Sequence, residues 1–224
     1  MQKIMLLNPK GGCGKSTIAT NLAVYYANWN MQVGIADFDP QKSSLNWLRN
    51  RTFDLNPIKA VNAGTERLII PENLDYLVLD TPASLDKSLM MELIHMTDTI
   101  IIPVLPSPID IQAAGYFIYQ LLLKHRITSE DKNICLVANR ARKRSLIYRE
   151  LIKFTSSIKL PLITTLKDSC HYLQYAAEGA GIFDHQTKRT ESDIEDWLPL
   201  INWLNSSEKS SSVQHKNSQN ENTG

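Results

Sequence analysis

Asn8-Pro9-Lys10-Gly11-Gly12-Cys13-Gly14-Lys15-Ser16-Thr17 stands between the apolar run Ile4-Met5-Leu6-Leu7 and a segment that opens Ile18-Ala19-Thr20-Asn21-Leu22. A short aliphatic run, a glycine-rich turn and a helical pattern, in that order, are the context a phosphate-binding loop (P-loop) requires. Glycines at 11, 12 and 14 let the backbone wrap closely round an anion, so that successive N–H groups point at phosphate oxygens. The helix that follows adds the positive end of its dipole. Lys15 then reaches the β- and γ-phosphates, and the Ser16 hydroxyl is placed to hold a magnesium ion that bridges them. A glycine-rich turn with two incidental lysines is the plainer reading, and the strand-turn-helix context outweighs it. One position departs from the ordinary pattern: Pro9 occupies the place of the first glycine and a second lysine, Lys10, follows it.

Outward from this loop the chain alternates short aliphatic runs with longer helical patterns. That alternation predicts an α/β fold: a three-layer, doubly wound, mostly parallel sheet with helices on both faces. Strands are expected near 3–8, 32–36, 75–79, 99–104, 133–138 and 161–164. Helices are expected near 15–29, 41–50, 85–97, 109–125, 144–156, 168–177 and 190–205, each after a turn signal or a small polar residue able to cap it. With 224 residues and 43% apolar side chains, the chain has enough for one sizeable core. Residues 1–205 are expected to form one domain. Residues 206–224, rich in Ser, Asn, Gln and Lys with a single aliphatic residue, are expected to be a disordered polar tail. The amino terminus lacks the pattern of a signal peptide, and no apolar run approaches the roughly 20 residues that cross a bilayer, which points to a cytoplasmic protein. Cys13, Cys135 and Cys170 have no paired spacing, so two small buried hydrophobes and one loop residue are expected rather than a disulfide or a thiolate metal site. Five scattered histidines suggest no shared metal, and the four tryptophans sit in helical patterns that suggest packing.

Lys10-Gly11-Gly12-Cys13-Gly14-Lys15-Ser16-Thr17 resembles the deviant Walker A motif of the ParA/MinD family of ATPases, in which an extra lysine precedes the glycines. The similarity covers the chain to about residue 205 and is closest to small plasmid-partition ParA proteins. It implies ATP and Mg2+ as cofactors, with Lys10 crossing a dimer interface to touch the phosphates held by the partner subunit. A cation delivered in trans neutralises charge on the transferring phosphoryl group and couples hydrolysis to dimerisation. Asp37-Phe38-Asp39-Pro40-Gln41 follows the second strand, where carboxylates face the ligand crevice of such sheets. By resemblance Asp39 positions or deprotonates the attacking water and Asp37 lies near the magnesium shell; the bland alternative is that both acids cap the next helix. Tyr76-Leu77-Val78-Leu79-Asp80 ends in a carboxylate placed like one that holds magnesium through water, and Thr81-Pro82-Ala83 would be the second switch. Asn139, after the strand ending in Ala138, sits where the family often contacts adenine, since an amide can both donate and accept.

The one dense cationic stretch is Arg140, Arg142, Lys143, Arg144, Arg149 and Lys153 against the single acid Glu150. The net charge of +1 gives no global sign of nucleic-acid binding, so any such surface is local. Lysine and arginine neutralise DNA phosphates without reading bases, and such non-specific binding suits a nucleoid-associated positioning ATPase; a merely solvated charged face is the alternative. Arg140, Arg142, Lys143 and Arg144 are the candidate contacts, with Lys167, Lys188 and Arg189 as an extension. The resemblance implies an ATP-bound homodimer, a hydrolysis-stimulating ParB-like or other cargo adaptor, and a plasmid as cargo, with carboxysome positioning as the alternative. A MinD-like membrane role would call for a basic amphipathic helix at the carboxy terminus, and the polar tail does not supply one. A metabolic ligase on the same fold would not need Lys10, and an iron–sulfur reductase would need cysteines near Asp80.

Overall fold

The structure, a computed structural model, describes residues 1–63, 68–127 and 132–220, with side chains described as far as Ser206. Seven strands, β1 (Gln2–Leu6), β2 (Val33–Asp37), β3 (Lys59–Val61), β4 (Tyr76–Asp80), β5 (Thr99–Val104), β6 (Asn133–Ala138) and β7 (Leu162–Thr165), form one sheet in the order β3-β2-β4-β1-β5-β6-β7. Every pairing is parallel. The helices are α1 (Lys15–Asn28), α2 (Ser43–Arg49), α3 (Lys87–Met96), α4 (Pro108–Tyr119), α5 (Leu146–Ser157), α6 (His171–Ala176) and α7 (Glu191–Asn220). A π-helical turn, Gln120–Lys124, extends α4.

Alternation along the strands explains the three layers, because successive side chains of a strand point to opposite faces. Ile4 and Leu6 of β1, Val78 of β4, Ile101 of β5 and Val137 of β6 join one apolar cluster with Ile18 and Leu22 of α1 and Trp197, Leu200 and Leu204 of α7. Their strand neighbours Met5, Leu79, Ile100, Ile102 and Leu136 join the other, with Leu93 of α3, Phe117 of α4 and Leu151 of α5. Strands buried on both faces read as unbroken aliphatic runs, which is why β4, β5 and β6 were legible from sequence.

The doubly wound α/β expectation holds, and six strands fall within a residue or two of their predicted places. β3 is the exception: Lys59-Ala60-Val61 is a three-residue edge strand with only Val61 buried, too short for a periodic signal. Helix α7 runs on to Asn220, into the segment expected to be a disordered tail, while residues 221–224 lie outside the described residues, and the division at residue 205 stays an expectation. Cys13 and Cys135 are buried and Cys170 is exposed, as expected. Trp47 and Trp197 pack inside; Trp29, at 66% exposure, does not, and corrects the expectation that all four tryptophans pack.

The strand order fixes the place of the site. From β1 the chain winds one way to β2, β3 and β4, then crosses to β5 on the other side of β1. At such a switch point the loops at the carboxyl ends of neighbouring strands part and leave a crevice. The loop 7–14, which follows β1, lies there.

Candidate active site

Loops following β1, β2, β4 and β6 converge on a cavity of about 400 Å3 lined by Gly11, Gly12, Gly14, Lys15, Ser16, Thr17, Asp39, Gln41, Ser43, Thr81, Ala83 and Arg140. Gly12 and Gly14 have φ of 77° and 95°, the left-handed turn that aims backbone N–H groups inward. Gly14 is the N-cap of α1 and no side chain caps it, so the first-turn N–H groups stay open to an anion. Lys15 is 7% exposed, and its Nζ donates to the carbonyls of Asn8 at 2.9 Å and Lys10 at 3.2 Å. Its charge is thereby held at the loop with no acidic partner among the described residues. Cys13 is buried beneath the loop and its thiol donates to Lys10 O; burial pushes that thiol above its usual range.

Lys10 behaves differently from Lys15. Its backbone is tied down, N–H to Asn8 Oδ1 at 2.9 Å, and its side chain is half-buried. It is not among the residues lining its own cavity, and among the described residues no acid pairs with it.

The carboxylates divide sharply. Asp37 and Asp80 are register partners on β2 and β4, both fully buried. Asp37 Oδ1 accepts from Asp39 N at 2.9 Å, and its Oδ2 accepts from Ser44 N at 3.0 Å and Leu45 N at 3.2 Å, so it caps the amino end of α2. Its near neighbour has no such partners: both oxygens of Asp80, and the Ser44 hydroxyl, are buried without a hydrogen bond. Burial pushes the Asp80 carboxyl up to about 7; the Ser16 hydroxyl beside it opposes that rise and the Asp37 carboxylate reinforces it. An unsatisfied buried carboxylate next to a serine of the P-loop is the donor set a hard divalent cation takes, so Ser16 and Asp80 fit magnesium, whereas the Asp37 oxygens are engaged by backbone N–H groups, Oδ1 by Asp39 and Oδ2 by the start of α2. Asp39 lines the cavity half-exposed, with Oδ1 accepting from Gln41 N at 2.9 Å. Thr81 lies between the site and β1, its hydroxyl donating to Leu6 O at 2.6 Å.

Asn139 is 5% exposed and both ends of its amide are engaged within the chain: Nδ2 donates to Cys13 O at 2.8 Å and Oδ1 accepts from Arg140 N at 3.0 Å. A Cβ on Gly14 would come within 2.0 Å of Asn139 Nδ2, so the glycine there is required by close approach as well as by φ. The amide that sequence placed against adenine is thus a brace on the P-loop. The basic stretch is also divided. Arg140, with φ of 48°, lines the nucleotide-sized cavity. Lys143 pairs with Asp196 at 2.9 Å, and Lys167 with Asp193 at 3.1 Å. Arg142 and Arg144 are exposed with no ion pair among the described residues. Sequence reasoning missed Ser44 and the Arg140 position; an unpartnered hydroxyl and a left-handed arginine have no signature in sequence.

Comparison with known proteins agrees with this geometry. Residues 4–180 match the family model described as the CobQ/CobB/MinD/ParA nucleotide binding domain. The chain is 30% identical over 187 residues to the maintenance of carboxysome distribution protein A of Halothiobacillus neapolitanus, covering 80% of this chain and 86% of that protein. Its fold is similar to a plasmid partition protein of Borrelia burgdorferi bound to AMPPNP, with a TM-score of 0.69 at 18% identity over 91% of this chain and 98% of that one. It is also similar to the MinD cell division protein of Aquifex aeolicus, with a TM-score of 0.66 at 17% identity over 90% and 98% of the two chains.

Proposed function

The chain belongs to the CobQ/CobB/MinD/ParA nucleotide-binding family, and from that premise we propose that it is an ATPase that positions cargo, dimerising around ATP and binding DNA without sequence preference while the nucleotide is held. The observation that carries this reading is Lys10, a cation fixed by its backbone to the P-loop yet absent from the lining of its own cavity. A lysine so placed is available to the phosphates of a second subunit, where it supplies charge to the transferring phosphoryl group. Lys15 and the open N–H groups of α1 bind the β- and γ-phosphates. Ser16 and Asp80 would hold magnesium, which would supply charge neutralisation to the phosphates when bound. Asp39 orients the attacking water. Asn139 holds the loop in shape, and Arg140 closes the cavity on the β6 side. None of this needs a helix able to cross a membrane, and the described residues contain none.

Arg142 and Arg144 are the proposed DNA contacts, which places the protein in the cytoplasm on the nucleoid. An adaptor that stimulates hydrolysis would release the dimer from DNA. The stretch from Asp75 to Gly115 resembles small plasmid-partition ATPases and favours a plasmid as cargo. A second reading, positioning of a carboxysome-like body, is favoured by the 30% identity over 187 residues to a carboxysome distribution protein.

The test is binding of the purified protein to non-specific duplex DNA, with ADP or with ATP and Mg2+, across a salt series. Binding that needs ATP and falls steeply with salt is expected. The charge-reversed Arg142→Glu, Arg144→Glu variant should lose affinity for DNA with ATP affinity unchanged, and Asp39→Ala should form ATP-dependent dimers that persist on DNA. DNA binding that is absent in both nucleotide states, or equal in the charge-reversed variant, would sink the DNA reading.

A further inference from the structure

At the end of the sheet opposite the nucleotide cavity, the last turns of α4, its π-helical extension and the residues leading into β7 enclose a groove of about 520 Å3. It is lined by Ile118, Tyr119, Leu122, Leu123, Ile158 and Leu160, with Gly115 and Lys159 completing it. The placement follows from topology: α4 starts after the carboxyl end of β5 and finishes near the amino end of β6, while residues 158–160 precede the amino end of β7. The nucleotide loops all leave carboxyl ends.

Three observations separate this groove from ordinary surface. First, α4 carries no charge between Ile111 and Leu123, although a helix lying on a sheet normally turns a charged face to water. Phe117, Ile118 and Leu121 face the core, yet Tyr119 at 57% and Leu123 at 66% exposure point away from it. Second, the chain leaves α-helical geometry at Gln120–Lys124, and π-turns inside helices occur frequently at functional sites because they redirect side chains. Third, the charge on the described segments that form the groove has one sign. The segments that form it, 111–127 and 151–160, contain Lys124, Arg126, Lys153 and Lys159 and no Asp or Glu. Gly115, in the lining, lets the Phe154 ring pack close against α4, where an added Cβ would meet it at 3.0 Å.

We propose that this groove is a docking site for an acidic, amphipathic helical segment of a partner protein, whose apolar residues enter between Tyr119, Leu123 and Ile158 and whose carboxylates meet Lys159 and the other cations of the bordering segments. A concave apolar slot with a cationic border takes an amphipathic helix by two or three anchors, with charge setting orientation and choice of partner. A flat lipid surface would not fill the slot, and a basic segment would be repelled. The site lies away from the nucleotide, so the proposal stands whether or not the ATPase reading does.

The experiment uses the full chain and a fluorescein-labelled helical peptide of about 16 residues with leucines at i, i+3, i+4 and i+7 and glutamates elsewhere. A second peptide has the same leucines with lysines in place of the glutamates. Fluorescence polarisation should show saturable binding of the acidic peptide and at least roughly tenfold weaker binding of the basic one. Leu123→Asp and Tyr119→Asp, each at a side chain more than half exposed, should weaken it by roughly tenfold or more with the thermal melt preserved. Lys159→Glu should weaken it severalfold, and Ile109→Asp, on the first turn of α4 outside the groove, should leave it unchanged. ATP affinity measured on the same samples separates this result from the fate of the nucleotide reading. Equal binding of both peptides, binding indifferent to Leu123→Asp, or uptake only by anionic phosphatidylserine vesicles would overturn the proposal, the last assigning the surface to a membrane.

Discussion

Asp80 and Asp184 are both buried carboxylates, and the structure treats them in opposite ways. Asp184 accepts from Arg51 Nη1 at 2.8 Å and Nη2 at 3.1 Å, and from Gly181 N at 2.8 Å, in a forked pair whose side chains are 3% and 2% exposed. That pair ties the end of α2 to the segment ahead of α7, and Trp47 adds a bond from Nε1 to Ala180 O across the same seam. Asp80, equally deep, has no partner of good hydrogen-bond geometry, only the Ser16 and Ser44 hydroxyls beside it. A fold satisfies the buried charges that hold it together, since an unpaired one costs several kcal/mol. Where it leaves a carboxylate unsatisfied, the missing partner is expected from outside the chain.

The contrast can be broken most directly at Asp184. Asp184→Ala strands the Arg51 guanidinium in a dry site and should cost about 3–5 kcal/mol, read as a large fall in melting temperature, whereas replacing both members by Leu and Met should recover much of it. A melt within a degree of the parent would show that this pair is not structural. Asp80→Asn should act in the opposite direction. Removing a buried, unpartnered charge should raise the stability of the nucleotide-free chain by about 1–2 kcal/mol, at roughly 2–4 °C per kcal/mol for a chain of this size. Because burial lifts this carboxyl to about 7, the folded state holds a proton that the unfolded state releases near 3.8. Its contribution is therefore complete below the lower value and fades as pH rises towards the upper one, so the advantage of the asparagine should grow between those limits. The same variant should lose the stabilisation that Mg2+ and ATP give the parent, which a thermal-shift series with and without Mg2+ measures. A destabilised Asp80→Asn chain would mean that its oxygens do have a structural partner.

Asn139→Ala tests the brace between the two halves of the site. Cys13 O is left without its donor, at a cost of about 1–3 kcal/mol, and ATP affinity should fall along with the melt. A drop in affinity for both ATP and ADP, with stability intact, would return Asn139 to direct contact with the base. The smallest effect is expected at Asp193. Burial pushes that carboxyl up, but hydrogen bonds from His171, Ser169 and Lys167 outweigh it and hold it below the usual range. Its contribution is present above about 3.8, the unfolded value, and is lost as pH falls through the depressed one. Asp193→Asn should shallow the acid limb of the stability curve by no more than a few degrees, with neutral-pH ATPase activity unchanged.

These contrasts also mark what sequence could and could not tell. The P-loop was legible because its chemistry is local: glycines, Lys15 and Ser16 lie within six residues, and the flanking strand and helix are next to them. The buried strands were legible because both of their faces are apolar. Asp37 and Asp80 could be named as acids at strand ends, but only the pairing of β2 with β4 shows them side by side, and only the path of α2 shows which of them keeps free oxygens. Asn139 and Cys13 are 126 residues apart, and Arg51 and Asp184 are 133 apart. Contacts across such distances leave no periodicity. The short edge strand β3 and the π-turn after α4 were missed for a different reason, since each depends on tertiary pairing rather than on any local pattern.

The bond from Asn139 to Cys13 has a consequence for how the protein is made. The P-loop leaves the ribosome well before the side chain that braces it, which follows β6, 126 residues further along the chain. A nascent chain lacking β6 therefore carries the phosphate-binding sequence without its supported shape. The shape that receives nucleotide is thereby tied to completion of the sheet as far as β6.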